Sequence, residues 1–560
     1  MPALFDIAEV AFSRSGSYLA ISHLSAEGER PAGVYVRSIR AVFQIGALFL
    51  VELIVDGRAV PFTEDPTPEC LRLQAEGGIV EFAFDGADCL RISTRGVAVR
   101  LTCAEGAGLQ AVPCGPRAWR VIASGRLCMV LPVEGELQIH APWMGTGCSE
   151  VVITSAVDAE FALLDTAPEW DGWRPGRPFT DCVARVRVEF AAFLAAQLSC
   201  PAEFATAREK AAYLNWAALV NPSGLLKRTT MYMSKNWMSA VWSWDHCFNA
   251  IALAQGMPDL AWDQFISPFD HQSAQGALPD MLTDTNEILV HVKPPIHGWA
   301  LRRMMTLNPK LLTPARARAA YDGLARMTTY WQEVRDPFNT GLPVYYHGND
   351  SGWDNATTLL AGSPITAPDC AAFLVIQMEV LADLAECLGE TTAVSWRTAA
   401  DTLQSRLIAQ LWRGTRFAMP SAADGREAPA GSDCLLPYMT LVLGERLPVE
   451  IRTALLDGLT AEGRFITPWG LATESPRSPY YKDNGYWRGP IWAPSTMLVL
   501  DGLQRLGETT LAMDLTRRFC LMCAREGFSE NFDAETGQAL CDRAYTWTAS
   551  VFLTLAHDLR

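Results

Sequence analysis

Six stretches in the second half of the chain bring carboxylates together with indoles, amides and basic side chains. They are Lys235-Asn236-Trp237 with Trp242-Ser243-Trp244-Asp245; Leu278-Pro279-Asp280 through Lys293-Pro294-Pro295; Ser351-Gly352-Trp353-Asp354-Asn355; Gly431-Ser432-Asp433; Tyr486-Trp487-Arg488-Gly489-Pro490-Ile491-Trp492; and Ser529-Glu530-Asn531-Phe532-Asp533. That mixture suits a sugar. Flat rings stack on the C–H face of a pyranose, while carboxylates, Arg and Asn take its hydroxyls. Cleaving a glycosidic bond needs two carboxyl groups, one to protonate the leaving oxygen and one to activate water or attack directly. Asp354 and Glu530 are the pair chosen for those roles.

Each residue has a plainer use as well. Asp354 and Glu530 could each cap a helix or hold a turn, and Asp245 stands where an N-cap would. Trp242, Trp244, Trp487 and Trp492 could be core, as tryptophan usually is, although their polar loop neighbours favour a site. His246, His291, His297 and His347 show no metal-ligand spacing, so no metal is expected. No GxGxxG, GxxxxGK[ST] or GxSxG is present, which leaves nucleotide cofactors and a serine nucleophile without support.

The surrounding elements explain how distant residues could meet. From about residue 201 the hydrophobic period is helical. It predicts twelve helices, at 201–220, 243–256, 261–273, 294–308, 313–334, 370–389, 391–412, 433–444, 448–463, 489–507, 509–527 and 545–560. The turns after even-numbered helices are short, and three carry the same Leu-Gly-Glu, at 388–390, 443–445 and 506–508. A glycine closing one helix just before the next is an αα-hairpin device. The connections after odd-numbered helices are long and hold the six stretches; long connections in compact domains are usually functional. In a ring of hairpins every long loop emerges at one end. The expectation is an (α/α)6 barrel with Asp354 and Glu530 on its third and sixth long loops, facing each other. A gap wide enough for a sugar also admits a water behind it, hence inversion.

Residues 1–200 read differently. Short apolar runs such as VYVRSIRAVFQIG, LFLVELIVDG, IVEFAFDG and VARVRVEFAAF are punctuated by Asp56-Gly57, Gly77-Gly78 and Asp85-Gly86. They predict an antiparallel β-sandwich that supports a catalytic domain at 201–560. The length of 560 residues fits two domains, and 49% apolar with 19% charged residues describes a folded globular chain. A net charge of −16 argues against nucleic acid or an anionic membrane as partner. The most apolar run, 41–55, is too short to span a bilayer and reads as two buried strands. The N-terminus lacks the features of a signal peptide. The 15 cysteines suggest reduced thiols in the cytoplasm, and Cys520 and Cys523 read as core packing. Oligomeric state is not legible.

The segments at Trp242–Asp245, Ser351–Asn355, Gly485–Trp492 and Glu530–Gly537 together closely resemble glycoside hydrolase family 63, which is related to the family 37 trehalases. The resemblance covers 201–560 in the same order. It implies an inverting, exo-acting α-glycosidase without a cofactor, acting on a small α-glucoside. An α-mannosidase-type, glucosylglycerate or trehalose hydrolase is the alternative within the family. It places the general acid on Asp354 and the general base on Glu530. Trp242, Asp245, Trp487 and Trp492 fall where the family holds the nonreducing sugar, with Gly352, Trp353 and Arg488 as neighbours; Trp244 and Tyr486, in the same loops, are further substrate-binding candidates. Asp280 and Tyr545 line up with more variable parts of the pocket. In this picture Asp354 is protonated near neutral pH in a water-poor bound site, and Glu530 stays ionised. Two rivals remain: a phosphorylase, which needs only one acid, and a carbohydrate-binding protein without turnover.

Overall fold

A computed structural model describes residues 4–28, 30–40, 45–103, 108–166 and 170–560. The chain forms two compact units. The first comprises Met1–Ala195, Ala212–Pro222 and Ser234–Ser239, and the second comprises Ala196–Ala211, Ser223–Met233 and Ala240–Arg560.

The first unit is built on two antiparallel sheets. One runs in the order Leu19–Leu24, Gly33–Ser38, Ala47–Val55, Ala98–Cys103, Val151–Ser155, Leu137–His140, with Arg58–Val60 paired to Ala47–Val55. The other runs Gln110–Pro113, Trp119–Ala123, Arg126–Glu134, Glu160–Asp165, Cys89–Arg95, Gly78–Phe84, Leu71–Ala75, Phe62–Pro66. Period-two patterning accounts for the strands. In Leu71–Ala75 the residues Leu71, Leu73 and Ala75 are buried, whereas Arg72 turns out to an ion pair with Glu81 on the next strand, 2.8 Å away. Asp56 and Gly57 have φ of 48° and 77°, the left-handed pair that a tight hairpin requires. Of the apolar run at 41–55, Ala47–Val55 is a strand, and residues 41–44 lie outside the described residues.

One expectation fails here. The VARVRVEFAAF run is not a strand but part of helix α1, Phe179–Ala196. The alternation at Val186, Val188 and Phe190 is local. The buried residues are Cys182, Val186, Phe190 and Phe193, a helical stripe, and Val188 is 68% exposed. Arg185 and Glu189 pair at i,i+4, a contact that only a helix provides.

Helices dominate the second unit: α2 (Ala205–Ala218, shared with the first unit), α3 (Asp245–Leu253), α4 (Pro258–Ile266), α5 (His297–Leu307), α6 (Pro314–Thr329), the short α7 (Gly348–Ser351), α8 (Pro368–Leu388), α9 (Ala393–Leu411), α10 (Val449–Thr460), α11 (Ala493–Arg505), α12 (Thr509–Glu526) and α13 (Thr546–Asp558). A 3-10 segment, Leu436–Arg446, stands where a helix over 433–444 was expected, kinked at Gly444. Helices α3, α5 and α8, the 3-10 segment, α11 and α13 pack in succession, and α13 packs on α3. Every residue of α3 is buried, as is α13 from Thr546 to Ala556, while α9 buries a single stripe. The three Leu-Gly-Glu glycines, Gly389, Gly444 and Gly507, all have positive φ, so each reverses the chain as its position suggested. Between the helices, two-residue strands pin the long loops: Val241–Trp242 on Met281–Leu282 on Glu287–Ile288, and Asn531–Phe532 on Ala539–Leu540. Among the described residues no helix is long and apolar enough to cross a membrane.

Candidate active site

Asp354 is positioned by its backbone. The turn before it, α7, is organised by the buried Asp350, whose carboxylate accepts from Arg335 Nη1 (2.8 Å) and from the amides of Tyr346 (2.8 Å), His347 (3.2 Å) and Val292 (3.1 Å). The chain then turns left-handed at Gly352, φ 69°, where a Cβ would lie 2.5 Å from the Trp244 ring. Only glycine fits that approach. Beyond the acid, Asn355 clamps its loop to the WRGPIW loop. Its side chain donates to the Gly485 carbonyl (3.1 Å) and accepts from Trp487 N (3.0 Å), while Arg488 Nε donates to the Asn355 carbonyl (2.7 Å). Arg488 therefore serves as a clamp as well as a neighbour of the site.

Glu530 is held by its surroundings on every side. Its amide donates to the Asp542 carbonyl (2.7 Å), Thr548 Oγ1 donates to the Ser529 carbonyl (2.7 Å), and Phe532 exchanges backbone hydrogen bonds with Ile491 (2.7 and 3.0 Å). Tyr486 OH donates to Glu530 Oε1 (3.1 Å), from a residue whose φ is 63°. A bulky residue in that region stores strain, which typically marks a site whose geometry is fixed by its surroundings. Glu530 is 6% exposed. Burial, helped by the nearby Asp542 carboxylate, pushes its carboxyl up to about 7, against the Tyr486 hydrogen bond, and Asp354 adds to the rise. The expectation of a plainly ionised base is corrected accordingly: its ionised form predominates only above about pH 7.

Four expected tryptophans and one unexpected one form a packed floor. Trp487 and Trp492 stack at 3.9 Å and 8°, Trp353 lies 4.6 Å from Trp487, and Trp547 meets Trp244 and Trp492 edge-on at 5.7 and 5.6 Å. Trp492 Nε1 donates to the Tyr486 carbonyl (2.9 Å), which ties the floor to the strained tyrosine. These rings are almost wholly buried, so the core reading and the site reading both apply to them; Trp242, which is not one of the five, is 8% exposed. Trp547 lies in the first turn of α13, two residues after Tyr545, and that helix start is the signal the sequence offers for it. Its indole N–H is buried without a partner among the described residues.

Beside this floor lie Asp245, Asp280 and Lys293. Asp245 is the first residue of α3, one beyond the N-cap position, which Trp244 occupies; its Oδ2 is buried without a partner among the described residues, and burial pushes its carboxyl up to about 8 against the pull of Lys293. Two buried imidazoles, each lowered to about 4 by burial and hence neutral, donate to the carbonyls of this loop: His246 Nδ1 to Trp242 (3.1 Å) and His297 Nε2 to Ser243 (3.0 Å). Lys293 Nζ sits 3.1 Å from Asp280 Oδ1 and donates to the Asn349 carbonyl (2.8 Å). Burial works against its charge, but Asp280, Asp354 and Asp245 outweigh that and keep it an ammonium. Nothing in the sequence around Lys293, in the second long loop, says that this lysine turns inward. The charge of Asp354 is felt at Asp245, Asp280, Lys293, Tyr486 and Glu530, and that of Glu530 at Tyr545. Residues from five of the six stretches thus share one neighbourhood. The fourth stretch does not join it: Asp433 is engaged by Arg464 (2.7 and 2.5 Å). Neither does Lys235, whose amine is spent in the first unit on the carbonyls of Ser17 (2.6 Å) and Leu219 (3.1 Å).

Residues 238–548 match the mannosylglycerate hydrolase MGH1-like glycoside hydrolase domain. The mannosylglycerate hydrolase of Thermus thermophilus is 24% identical over 387 residues, 56% of this chain and 93% of that one. The structure of a family 63 mannosylglycerate hydrolase from Thermus thermophilus in complex with glucose superposes with a TM-score of 0.52 at 22% identity, over 62% of this chain and 99% of the other. A bacterial glucoamylase complexed with acarbose superposes with a TM-score of 0.62 at 11% identity, over 100% and 94%, a likeness of fold that takes in the β half as well. The chain belongs to the MGH1-like glycoside hydrolases of family 63 and is a hydrolase of O-glycosyl bonds.

Proposed function

We propose that the enzyme removes a terminal α-linked sugar from a small soluble glycoside with inversion, and that mannosylglycerate is the substrate. The mannosylglycerate hydrolases among its relatives support the substrate. The observation that carries the chemistry is the pair Asp354 and Glu530, on separate long loops and each within the other's field, beside a tryptophan floor. In this reading the inner helices, packed in succession, close an (α/α)6 barrel over 201–560, and residues 1–200 form a supporting β-sandwich.

The sugar rests near Trp242, with hydroxyls taken by Asp245 and Tyr545. Asp354 gives its proton to the glycosidic oxygen as the bond stretches, and the aglycone leaves as an alcohol. Water attacks the opposite face of the anomeric carbon and yields its proton to Glu530, which must be ionised to take it. The pair is then returned to its starting state by exchange with solvent.

A neutral α-glucoside is the second reading, and the charge around the site favours it. Once Asp245 ionises, above about pH 8, the described residues supply Asp245, Asp280 and Glu530 as anions there, against the Lys293 ammonium and the Arg488 guanidinium. A carboxylate on the aglycone would meet that surplus.

The test is proton NMR during hydrolysis of mannosylglycerate and of neutral α-glucosides side by side. We expect β-sugar to appear first, with mannosylglycerate the better substrate by kcat/KM. Release of the α-anomer would end the inverting reading, and preference for a neutral glucoside would install the second.

A further inference from the structure

We propose that Asn355 and Tyr486 form a strut that positions the base from the donor's side. Asn355, the chain neighbour of Asp354, grips the backbone on both sides of Tyr486, and the Tyr486 hydroxyl grips Glu530. The proposal rests on the reading of Asp354 and Glu530 as acid and base.

Every link in the strut is a hydrogen bond. Asn355 Nδ2 donates to the Gly485 carbonyl (3.1 Å), and Trp487 N donates to Asn355 Oδ1 (3.0 Å), so one side-chain amide brackets Tyr486. Tyr486 is left-handed, with φ of 63°, a conformation that a tyrosine keeps only when its surroundings compel it. Trp492 Nε1 donates to its carbonyl (2.9 Å), and the two rings meet edge-on at 4.9 Å. From that fixed backbone the hydroxyl reaches Glu530 Oε1 at 3.1 Å. Burial and the Glu530 charge push the phenol well above its usual range, so it keeps its proton and remains a donor.

Inversion needs a water between the base and the anomeric carbon while the donor stands at the glycosidic oxygen. The spacing of acid and base therefore matters, and a misplacement of about 1 Å can cost about a hundredfold in rate. Asn355 is bonded covalently to the donor and is one residue away from the base's own hydrogen bond. With Oε1 held, the carboxyl cannot rotate freely, and its other oxygen is kept for the proton of the water. The hydroxyl also favours the ionised carboxyl. The other groups facing Glu530 are the Asp542 and Asp354 carboxylates, which oppose its ionisation, and the Asp542 amide, which favours it; Cys541 and Tyr545 feel its charge. Loss of the hydroxyl thus raises the pH at which Glu530 ionises.

A glycosyl fluoride departs without a proton, so its hydrolysis reports on the base and not on the donor. In Tyr486→Phe its kcat should fall about tenfold to a hundredfold. The midpoint of kcat/KM against pH should move up by about one unit. Asn355→Ala alters a residue beside the donor, yet it should also slow the fluoride and move the midpoint the same way. The double variant should lose little more than Tyr486→Phe, because both changes break one strut. An Asn355→Ala enzyme impaired on the glycoside but normal on the fluoride overturns the proposal. So do additive losses in the double variant, or a Tyr486→Phe enzyme with a higher KM and an unmoved midpoint, the mark of a residue that only binds sugar. Should Asn355→Ala fail to fold by thermal melting, Asn355→Ser, too short to bracket Tyr486, takes its place with the same expectations. Glu530→Gln is run alongside. Normal fluoride hydrolysis there means that the reading of the base has failed; a lost fluoride rate keeps that reading whatever Asn355 and Tyr486 do.

Discussion

The Asp354 loop and the Glu530 loop hold the same chemical group by opposite means. Asp354 is half-buried, fixed through its backbone by Asp350, Gly352 and Asn355, and the Lys293 ammonium is within reach of its charge. Glu530 is buried, fixed at its carboxyl by Tyr486, and its charged neighbours Asp542 and Asp354 are acidic. One carboxyl is kept near a cation and the other near anions. The environments of the two acids therefore differ in a way their residue types do not announce: burial and anions raise the proton affinity of Glu530, so the proposed base needs a pH above about 7 to be mostly ionised.

The largest test of this contrast is to remove each acid and vary the leaving group. Asp354→Asn should lose about a hundred- to ten-thousand-fold in kcat/KM on the glycoside, the usual worth of a general acid, yet stay within about tenfold of the parent on the matching glycosyl fluoride. Glu530→Gln should lose comparably on both substrates, because both need the attacking water. Equal losses of the two variants on the fluoride would make the loops equivalent and dissolve the distinction.

Much of this arrangement was legible beforehand. The alternation of short and long connections located the six stretches, and five of them meet. Helix positions followed from apolar periodicity where one face is buried, as in α9, and from near-continuous apolar composition where every face is, as in α3 and α13. What stayed hidden was of two kinds. Helix α1 carries a few alternating residues that imitate a strand, and only burial of Cys182, Val186, Phe190 and Phe193 shows which period governs. Lys293 and Lys235 both stand in the long polar loops, yet one turns toward the Asp280 carboxylate and the other toward backbone carbonyls of the first unit. Which way a lysine turns depends on contacts distant in sequence. The same limit applies to Glu530, whose raised proton affinity comes from Asp542 and burial and from no local signature.

A second, smaller effect concerns pH. With the glycosyl fluoride the donor drops out, and the rate follows the ionised fraction of Glu530. Its carboxyl sits at about 7, so kcat/KM should climb about tenfold per unit below that pH and level off above it. A profile already flat at pH 5 would place Glu530 in an environment as forgiving as solvent and erase its contrast with Asp354.

The smallest effect is on stability, and its sign separates a functional carboxyl from a structural one. Glu530 titrates at about 7 in the fold against 4.5 for an ordinary glutamate. Below pH 4.5 it is protonated in both the folded and unfolded states, and burial of the charge costs nothing. Between 4.5 and 7 the unfolded chain releases the proton while the folded one holds it, so stability falls as pH rises through that window, and the deficit is complete above 7. A difference of about 2.5 units corresponds to about 3 kcal/mol. Glutamine keeps the shape and carries no charge to bury. Glu530→Gln should therefore melt a few degrees above the parent at pH 8, with the gain shrinking toward nothing by pH 4.5, even as its activity disappears. A carboxyl retained for the fold would show the reverse, a lower melting temperature at pH 8 on substitution, and that result would return Glu530 to the role of a structural acid.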